Sequence, residues 1–287
     1  MTILRTTLRT LIDRAARRAA RSYIAGPHLS DAISFAQALG RDGMSSTLGY
    51  WNEVGEDAAI VHGAYLSAID AAAAAGLNTY ISIKAPAFSM SQPFAEALAS
   101  RCRDRGIGLH FDSLGVERQT ETFDMIERLL PIGATLGCTL PARFARSVDD
   151  AERAVRHRVR VRVVKGQWDD PAQAIDPRVG YMSIIERLAG RAAHVAVATH
   201  DPELAEGALT TLAARGTSSE LELLLGLPVH RVREIARRLN VPVRMYVPYG
   251  YAWLPYAVSA ARKNPRILFW ILEDAVRGRA PRAGRHT

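Results

Sequence analysis

The stretch Arg244-Met245-Tyr246-Val247-Pro248-Tyr249-Gly250-Tyr251-Ala252-Trp253-Leu254-Pro255-Tyr256 decides the fold. It reads as an extended apolar run that stops at Pro-Tyr-Gly and reopens as an aromatic helix, a single strand-to-helix unit. Working outward from it, seven earlier β-rich segments appear: Ser45 to Trp51, Asn78 to Ala85, Gly108 to Ser113, Ala134 to Leu140, Val159 to Gly166, His194 to His200 and Glu220 to Gly226. The eighth spans Pro242 to Gly250. Helical stretches lie between them, and three stop at a glycine: Glu56 to Ala75 at Gly76, Gln92 to Arg105 at Gly106, and Pro202 to Arg215 at Gly216. This alternation predicts parallel strands with helical crossovers, and eight such units in roughly 250 residues suit a closed α/β barrel of the (β/α)8 TIM type. A doubly wound dinucleotide-binding sheet should show a GxGxxG turn after an early strand, and the sequence has none.

With 48% hydrophobic and 23% charged residues the chain has ordinary globular composition and enough length for one large core. The expected organisation is an N-terminal helical segment over residues 1–40, the barrel over 41–276 and a basic, disordered tail over 277–287. Cys102 and Cys138 cannot form a disulfide framework, and neither lies in a metal-binding cluster, which fits a reducing cytoplasm. Residues 1–21 carry many arginines and no continuous apolar core, so neither a secretory signal nor a spanning helix is expected there. Leu4, Leu8, Leu11 and Ile12 make a short apolar stripe, read as a helix packed on the barrel ahead of one lying at a membrane surface; membrane contact is at most peripheral. The net charge of +8 comes almost wholly from arginines dispersed among acids, since only Lys84, Lys165 and Lys263 are lysines. No basic patch or nucleic-acid motif accompanies it, so nucleic acid is not an expected partner.

A barrel gathers its functional groups at the carboxyl ends of its strands. Lys84, Asp112, Arg162, Lys165, His200 and Tyr246 all occupy such ends. On the Val159 to Gly166 segment arginine alternates with valine, placing cations on a face bound for the barrel interior, which is costly unless an anion meets them. Asp169 and Asp170 are nearby candidates for structural pairing. Glu220 and Glu222 lie two apart on one strand and so share a face without forming an acid/base pair. No serine or cysteine nucleophile has an adjacent base.

The run from Tyr246 to Tyr256 and the run Arg162-Val163-Val164-Lys165-Gly166 resemble the YVPYGxxWxxY and RxVKG motifs of proline dehydrogenases, and the resemblance extends from Thr47-Leu48 to Pro265. It implies a noncovalent FAD held by Arg162, Val164, Lys165, Gly166, Gln167 and Trp168, by Thr199, His200 and Asp201, and by Glu222 at a family glutamine position. It further implies that Lys84, Asp112, Tyr246 and Tyr256 serve the substrate, an amine or imino acid that gives up hydride to the flavin and becomes an imine. The electron acceptor, whether quinone, oxygen or redox protein, is left open. Departures matter equally: Ser259 and Ala260 stand where the family has two arginines, Lys263 where it has glutamate, and Pro141 where it has glutamine. Loss of the paired arginines disfavours free proline, because a bidentate clamp on a carboxylate is hard to replace by point charges. Arg262 lies one turn beyond Ser259, either reaching a carboxylate on a longer substrate or capping the helix that Asn264-Pro265 ends. Alternatives are an oxidase of a carboxylate-free amine or of a unit on an acidic carrier protein, and a non-catalytic relative that has lost flavin.

Overall fold

The computed structural model describes residues 24–251. The N-terminal leucine stripe, Tyr256, Ser259, Ala260, Arg262, Lys263 and the basic tail lie outside the described residues. Helix α1 (Leu29–Arg41) leads into β1 (Ser45–Trp51), α2 (Ala58–Ala74), β2 (Thr79–Ile83), α3 (Gln92–Arg105), β3 (Gly108–Phe111), α4 (Gln119–Leu129), β4 (Leu136–Pro141), α5 (Ser147–Arg156), β5 (Arg160–Val164), α6 (Pro177–Leu188), β6 (Val195–Ala198), α7 (Pro202–Ala214), β7 (Ser219–Leu224), α8 (His230–Arg238) and β8 (Val243–Gly250). The strands are parallel and close into a barrel in sequence order. Closure is made by β8 pairing with β1, from Ser45 opposite Arg244 to Trp51 opposite Gly250. Helix α1 packs on those same two strands.

Local chemistry sets the boundaries. Asp57, Ser91, Asp176 and Asp201 accept hydrogen bonds from first-turn N–H groups of α2, α3, α6 and α7, donors that a helix start otherwise leaves unpaired. Prolines stand in the first turn of the last three of these helices, where no N–H is missed.

Each strand divides its residues between two environments. Outward side chains such as Leu48, Ile81, Leu109, Leu140, Val161, Val197, Leu221 and Val247 are completely buried beneath the helical ring, and this shell is the apolar core. Many inward positions are polar. Arg160, Arg162, Glu220, Glu222 and Arg244 are all buried inside the barrel, beside His110, Thr139, Ser82 and Thr47. The expected cost of burying arginines is met from within the chain. Arg160 donates to Glu220 at 2.5 Å and to Glu222 at 3.1 Å, Arg162 to Glu222 and Asp112, and Arg244 to Glu220 at 2.8 Å. Three guanidiniums thus meet three carboxylates, and the Tyr80 ring lies between two of the cations, 4.2 Å from Arg160 and 4.6 Å from Arg244.

Asp169 and Asp170, the nearby candidates for pairing with the Arg162 to Gly166 run, bond elsewhere. Asp169 instead meets Arg143, and Asp170 accepts from the backbone of Ala145 and Ala172. Several sequence-read strands also extend too far. The ladders of β2, β3 and β6 stop at Ile83, Phe111 and Ala198, so Lys84, Asp112, Thr199 and His200 fall just beyond them.

Candidate functional site

At the carboxyl ends of the strands lies a cavity of about 510 Å³. All six strand-end residues singled out from sequence line it, as do Val164, Gly166, Gln167, Trp168, Thr199, Asp201 and Glu222. They are brought together because parallel closure points every βα turn at one mouth. Trp51, Leu114, Pro141, Leu227 and Pro228 complete much of the apolar wall, and sequence reasoning had not placed Trp51, Leu114, Leu227 or Pro228 there.

Arg162 occupies the floor. Its Nε and Nη2 donate to the two oxygens of Glu222 at 2.9 and 2.7 Å, a bidentate clamp, while Nη1 reaches Asp112 at 2.6 Å and Ser82 at 3.3 Å. Burial opposes its charge, but Glu222 and Asp112 outweigh that and push its pKa up. Burial likewise opposes the Glu222 carboxylate, yet Arg162 and Arg160 hold its pKa well below the ordinary range. Thr47 adds a hydrogen bond to Glu222 at 2.8 Å. Glu222, expected at the cofactor, is therefore first of all the counterion of Arg162.

Asp112 bridges the floor to the eighth strand. One oxygen takes Arg162, and the other accepts from the Tyr246 hydroxyl at 3.0 Å. Burial, followed by the Asp112 charge, raises the Tyr246 pKa far above normal, so the phenol stays protonated and donating. Its ring lies 5.2 Å from the Arg162 guanidinium. Gly49 permits this arrangement, for a Cβ there would overlap the Tyr246 hydroxyl. Lys84 sits with its ammonium 5.9 Å from the Trp51 ring; burial lowers its pKa, with Asp112 partly restoring it.

The other rim is built by the loops after β5 and β6. Lys165 meets Asp201 at 3.0 Å, and the same carboxylate takes Arg178 at 2.7 Å and caps α7. Burial works against the Asp201 charge, but the Lys165 hydrogen bond prevails and its pKa falls. Gly166 has φ +88, a left-handed turn, and a Cβ there would lie 3.0 Å from Pro141. His200 faces the cavity with both nitrogens engaged: Nδ1 donates to the Pro228 carbonyl at 2.8 Å and Nε2 accepts from the Leu224 N–H at 3.0 Å. It pins the β7–α8 connection and presents its ring, not a free nitrogen, to a ligand.

Beneath the floor, His110 is kept neutral by burial and by Arg162 and Arg160, which lower its pKa well below normal. Arg160 donates to Nδ1 at 3.1 Å, so Nε2 carries the proton and donates to Thr139 at 2.8 Å. The period-two spacing of Arg160 with Arg162 and of Glu220 with Glu222 was the available signal for this network.

Among the described residues, no cluster of acids, histidines or cysteines has the geometry to hold a metal, and no helix is long and apolar enough to cross a membrane. The donor set fits a planar heterocycle with a phosphate-bearing tail. The walls are apolar, Trp168 is half-exposed beside them, and the Lys165 ammonium stands at the rim.

A closed parallel barrel with a mixed apolar and charged cavity at its carboxyl mouth is the architecture of (β/α)8 enzymes. Its relatives refine that class. The chain is 23% identical to proline dehydrogenase 1 of Bacillus subtilis over 278 residues, covering 91% of this chain and 92% of the relative. It is 25% identical to the proline dehydrogenase of Deinococcus radiodurans over 281 residues, 90% of each. Among solved structures, proline utilization A of Bdellovibrio bacteriovorus superposes with a TM-score of 0.78 at 14% identity, over 87% of this chain and 33% of that one. That of Bradyrhizobium japonicum gives 0.66 at 19%, over 83% and 30%. This chain spans about a third of those longer chains, and the likeness is one of fold. No family model matches. Similarity over nine-tenths of both sequences, together with the barrel, supports a likeness to the proline dehydrogenases.

Proposed function

We propose that this chain is an FAD-dependent oxidoreductase that converts the C–N bond of an amine or imino acid to an imine, on a substrate other than simple free proline. The observation that supports the reading most is the one cavity shared by Lys84, Asp112, Arg162, Lys165, His200 and Tyr246. FAD, when bound, supplies the hydride acceptor. Lys165, Gly166, Gln167, Trp168 and Thr199 would hold it at the rim, Val164 and the His200 ring would pack against it, Asp201 would steady Lys165, and Arg162 with Glu222 would floor it. Tyr246 and Lys84 would shape the substrate pocket, and Asp112 would orient both Arg162 and Tyr246, with Tyr256 and Arg262, which lie outside the described residues, as further substrate residues. The apolar residues of the lining would limit the access of water to the reacting carbon.

Ser259 and Ala260 support exclusion of proline, since neither can clamp a carboxylate. Carboxylate-free amines, or a unit presented by an acidic carrier protein, fit the same feature. Electrons would leave for a quinone, oxygen or a redox protein. A cytoplasmic protein with at most peripheral membrane contact agrees with the chain's composition. A second reading, a non-catalytic relative without flavin, draws on the internal saturation of Arg162 by Glu222 and Asp112. Spectra separate the two: bound flavin that bleaches with one of a panel of cyclic and acyclic amines supports the enzyme, and protein that takes up no FAD removes it. Ser259→Arg with Ala260→Arg should create a response to proline; continued indifference would count against the clamp.

A further inference from the structure

The rim residues Lys165, Gly166, Gln167 and Trp168 open the connection from Lys165 to Asp176, which has no helix or strand of its own. With neither ladder nor helix to hold it, its shape depends on side-chain ties. Arg143, in the turn between β4 and α5, supplies two of them. Its Nε donates to the Gly166 carbonyl at 3.3 Å and its Nη1 to the Asp169 carboxylate at 2.6 Å. Asp170 adds a third, accepting from the Ala145 N–H at 3.1 Å and from the Ala172 N–H at 2.9 Å. The turn that offers these groups is itself anchored, because the Ala142 N–H donates to the Val164 carbonyl at 2.8 Å and the Ser147 hydroxyl to the Pro141 carbonyl at 2.7 Å. Arg143 is not among the residues that line the cavity. It stands behind the rim. Gly166 is the residue that most needs such a tie, since at φ +88 it has the freedom that only glycine has. Holding its carbonyl also turns the Gln167 N–H, anti to it in the same peptide plane, away from Arg143.

We infer that Arg143 is a positioning residue for the cofactor rim: by strapping Gly166 and Asp169 to the β4–α5 turn it keeps the start of the β5–α6 connection in one shape for a phosphate-bearing tail. The ligand in this inference rests on the flavin reading; the strap does not. Asp169 is 83% exposed, so its ion pair alone is a weak tie. The two contacts act together because one rigid guanidinium makes both. Without Arg143 the connection would have to be ordered anew each time the cofactor binds, which costs affinity without touching any group that meets the ligand.

The test uses the full chain, with FAD and riboflavin as probes, in wild type, Arg143→Ala, Arg143→Lys and Asp169→Asn. Binding is followed by flavin fluorescence, and chymotryptic cleavage after Trp168 is timed by mass spectrometry with no flavin present. For Arg143→Ala the expected result is FAD bound at least about tenfold more weakly and cleavage after Trp168 at least about tenfold faster, with urea unfolding little changed. Riboflavin, which lacks the phosphates, should change by less than about threefold. Arg143→Lys, a point charge that cannot make both contacts, should fall between wild type and Arg143→Ala. Asp169→Asn should act in the same direction by less than about threefold, because the pair it removes is exposed. FAD held as tightly by a folded Arg143→Ala as by wild type, a loss shared equally by riboflavin, or unchanged cleavage would overturn the inference. Should Arg143→Ala fail to fold, Arg143→Lys carries the expectation in its place. Wild type that takes up no FAD would defeat the flavin reading and this role with it; cleavage after Trp168 separates that case, since it reports whether Arg143 orders the connection with no ligand present.

Discussion

Glu220 links the barrel's stability to pH in a way that can be worked through. Its carboxylate is buried against Arg160 and Arg244, with His194 at 3.5 Å. Burial alone would raise its pKa; the His194 hydrogen bond and the two arginines lower it instead, from 4.5 to about 2. A carboxylate depressed in the folded state stabilises above its unfolded pKa and loses that contribution as pH falls through the folded one. The window therefore runs from about 4.5 down to about 2. At about 1.4 kcal/mol per unit, the difference corresponds to about 3 kcal/mol present at neutral pH, a large share of a domain's net stability of about 5–15 kcal/mol. Glu222, also held well below its ordinary pKa by Arg162 and Arg160, acts in the same direction. Glu220→Gln should cost about 3–5 kcal/mol at neutral pH, because two buried guanidiniums lose their shared counterion. It should also flatten the acid limb of the stability curve. Urea unfolding from neutral pH to the acid limit, in wild type and variant, measures both. Parallel curves, with the variant as acid-sensitive as wild type, would refute the assignment of this linkage to Glu220.

Gly49→Ala should push Tyr246 off Asp112 and cost about 1–3 kcal/mol, read as a lowered midpoint in thermal unfolding. His200→Ala strands the Pro228 carbonyl and the Leu224 N–H and should destabilise by about 1–3 kcal/mol per buried group left unpaired, whereas a histidine held only for ligand contact would leave unfolding unchanged. Arg178→Ala removes an exposed partner of Asp201 and Glu203 and should move stability by less than about 1 kcal/mol; a larger loss in chemical denaturation would show that this pair matters more than its exposure suggests.

The fold was legible in the sequence because strand and helix patterns are local. Ser45–Trp51 and Gln92–Arg105 fall where periodicity and the Gly106 stop place them. Ladder ends were less legible, since Lys84 and Asp112 leave the sheet where backbone pairing runs out, not where the apolar pattern changes. The gathering of Lys84, Asp112, Arg162, Lys165, His200 and Tyr246 followed from strand-end position alone once a barrel was assumed. What they bond to did not follow. Arg160 meets Glu220 sixty residues away because β5 and β7 flank β6 and turn both side chains into the barrel interior, and nothing near Arg160 in sequence announces that partner. The same holds for Asp112, fifty residues from Arg162, which outcompetes the neighbouring Asp169 and Asp170 because it shares the interior. His200 was legible as a cavity residue but not as a pin, for its partners come from the next connection.

The central claim is that the mouth around Arg162, Lys165 and His200 binds a flavin. The visible absorbance spectrum of the purified chain, recorded after incubation with FAD and removal of unbound cofactor, tests it most directly. Stoichiometric flavin retained by wild type, and lost when Lys165 and Gly166 are replaced together, is the expected result; a colourless protein with an intact fold would contradict the claim.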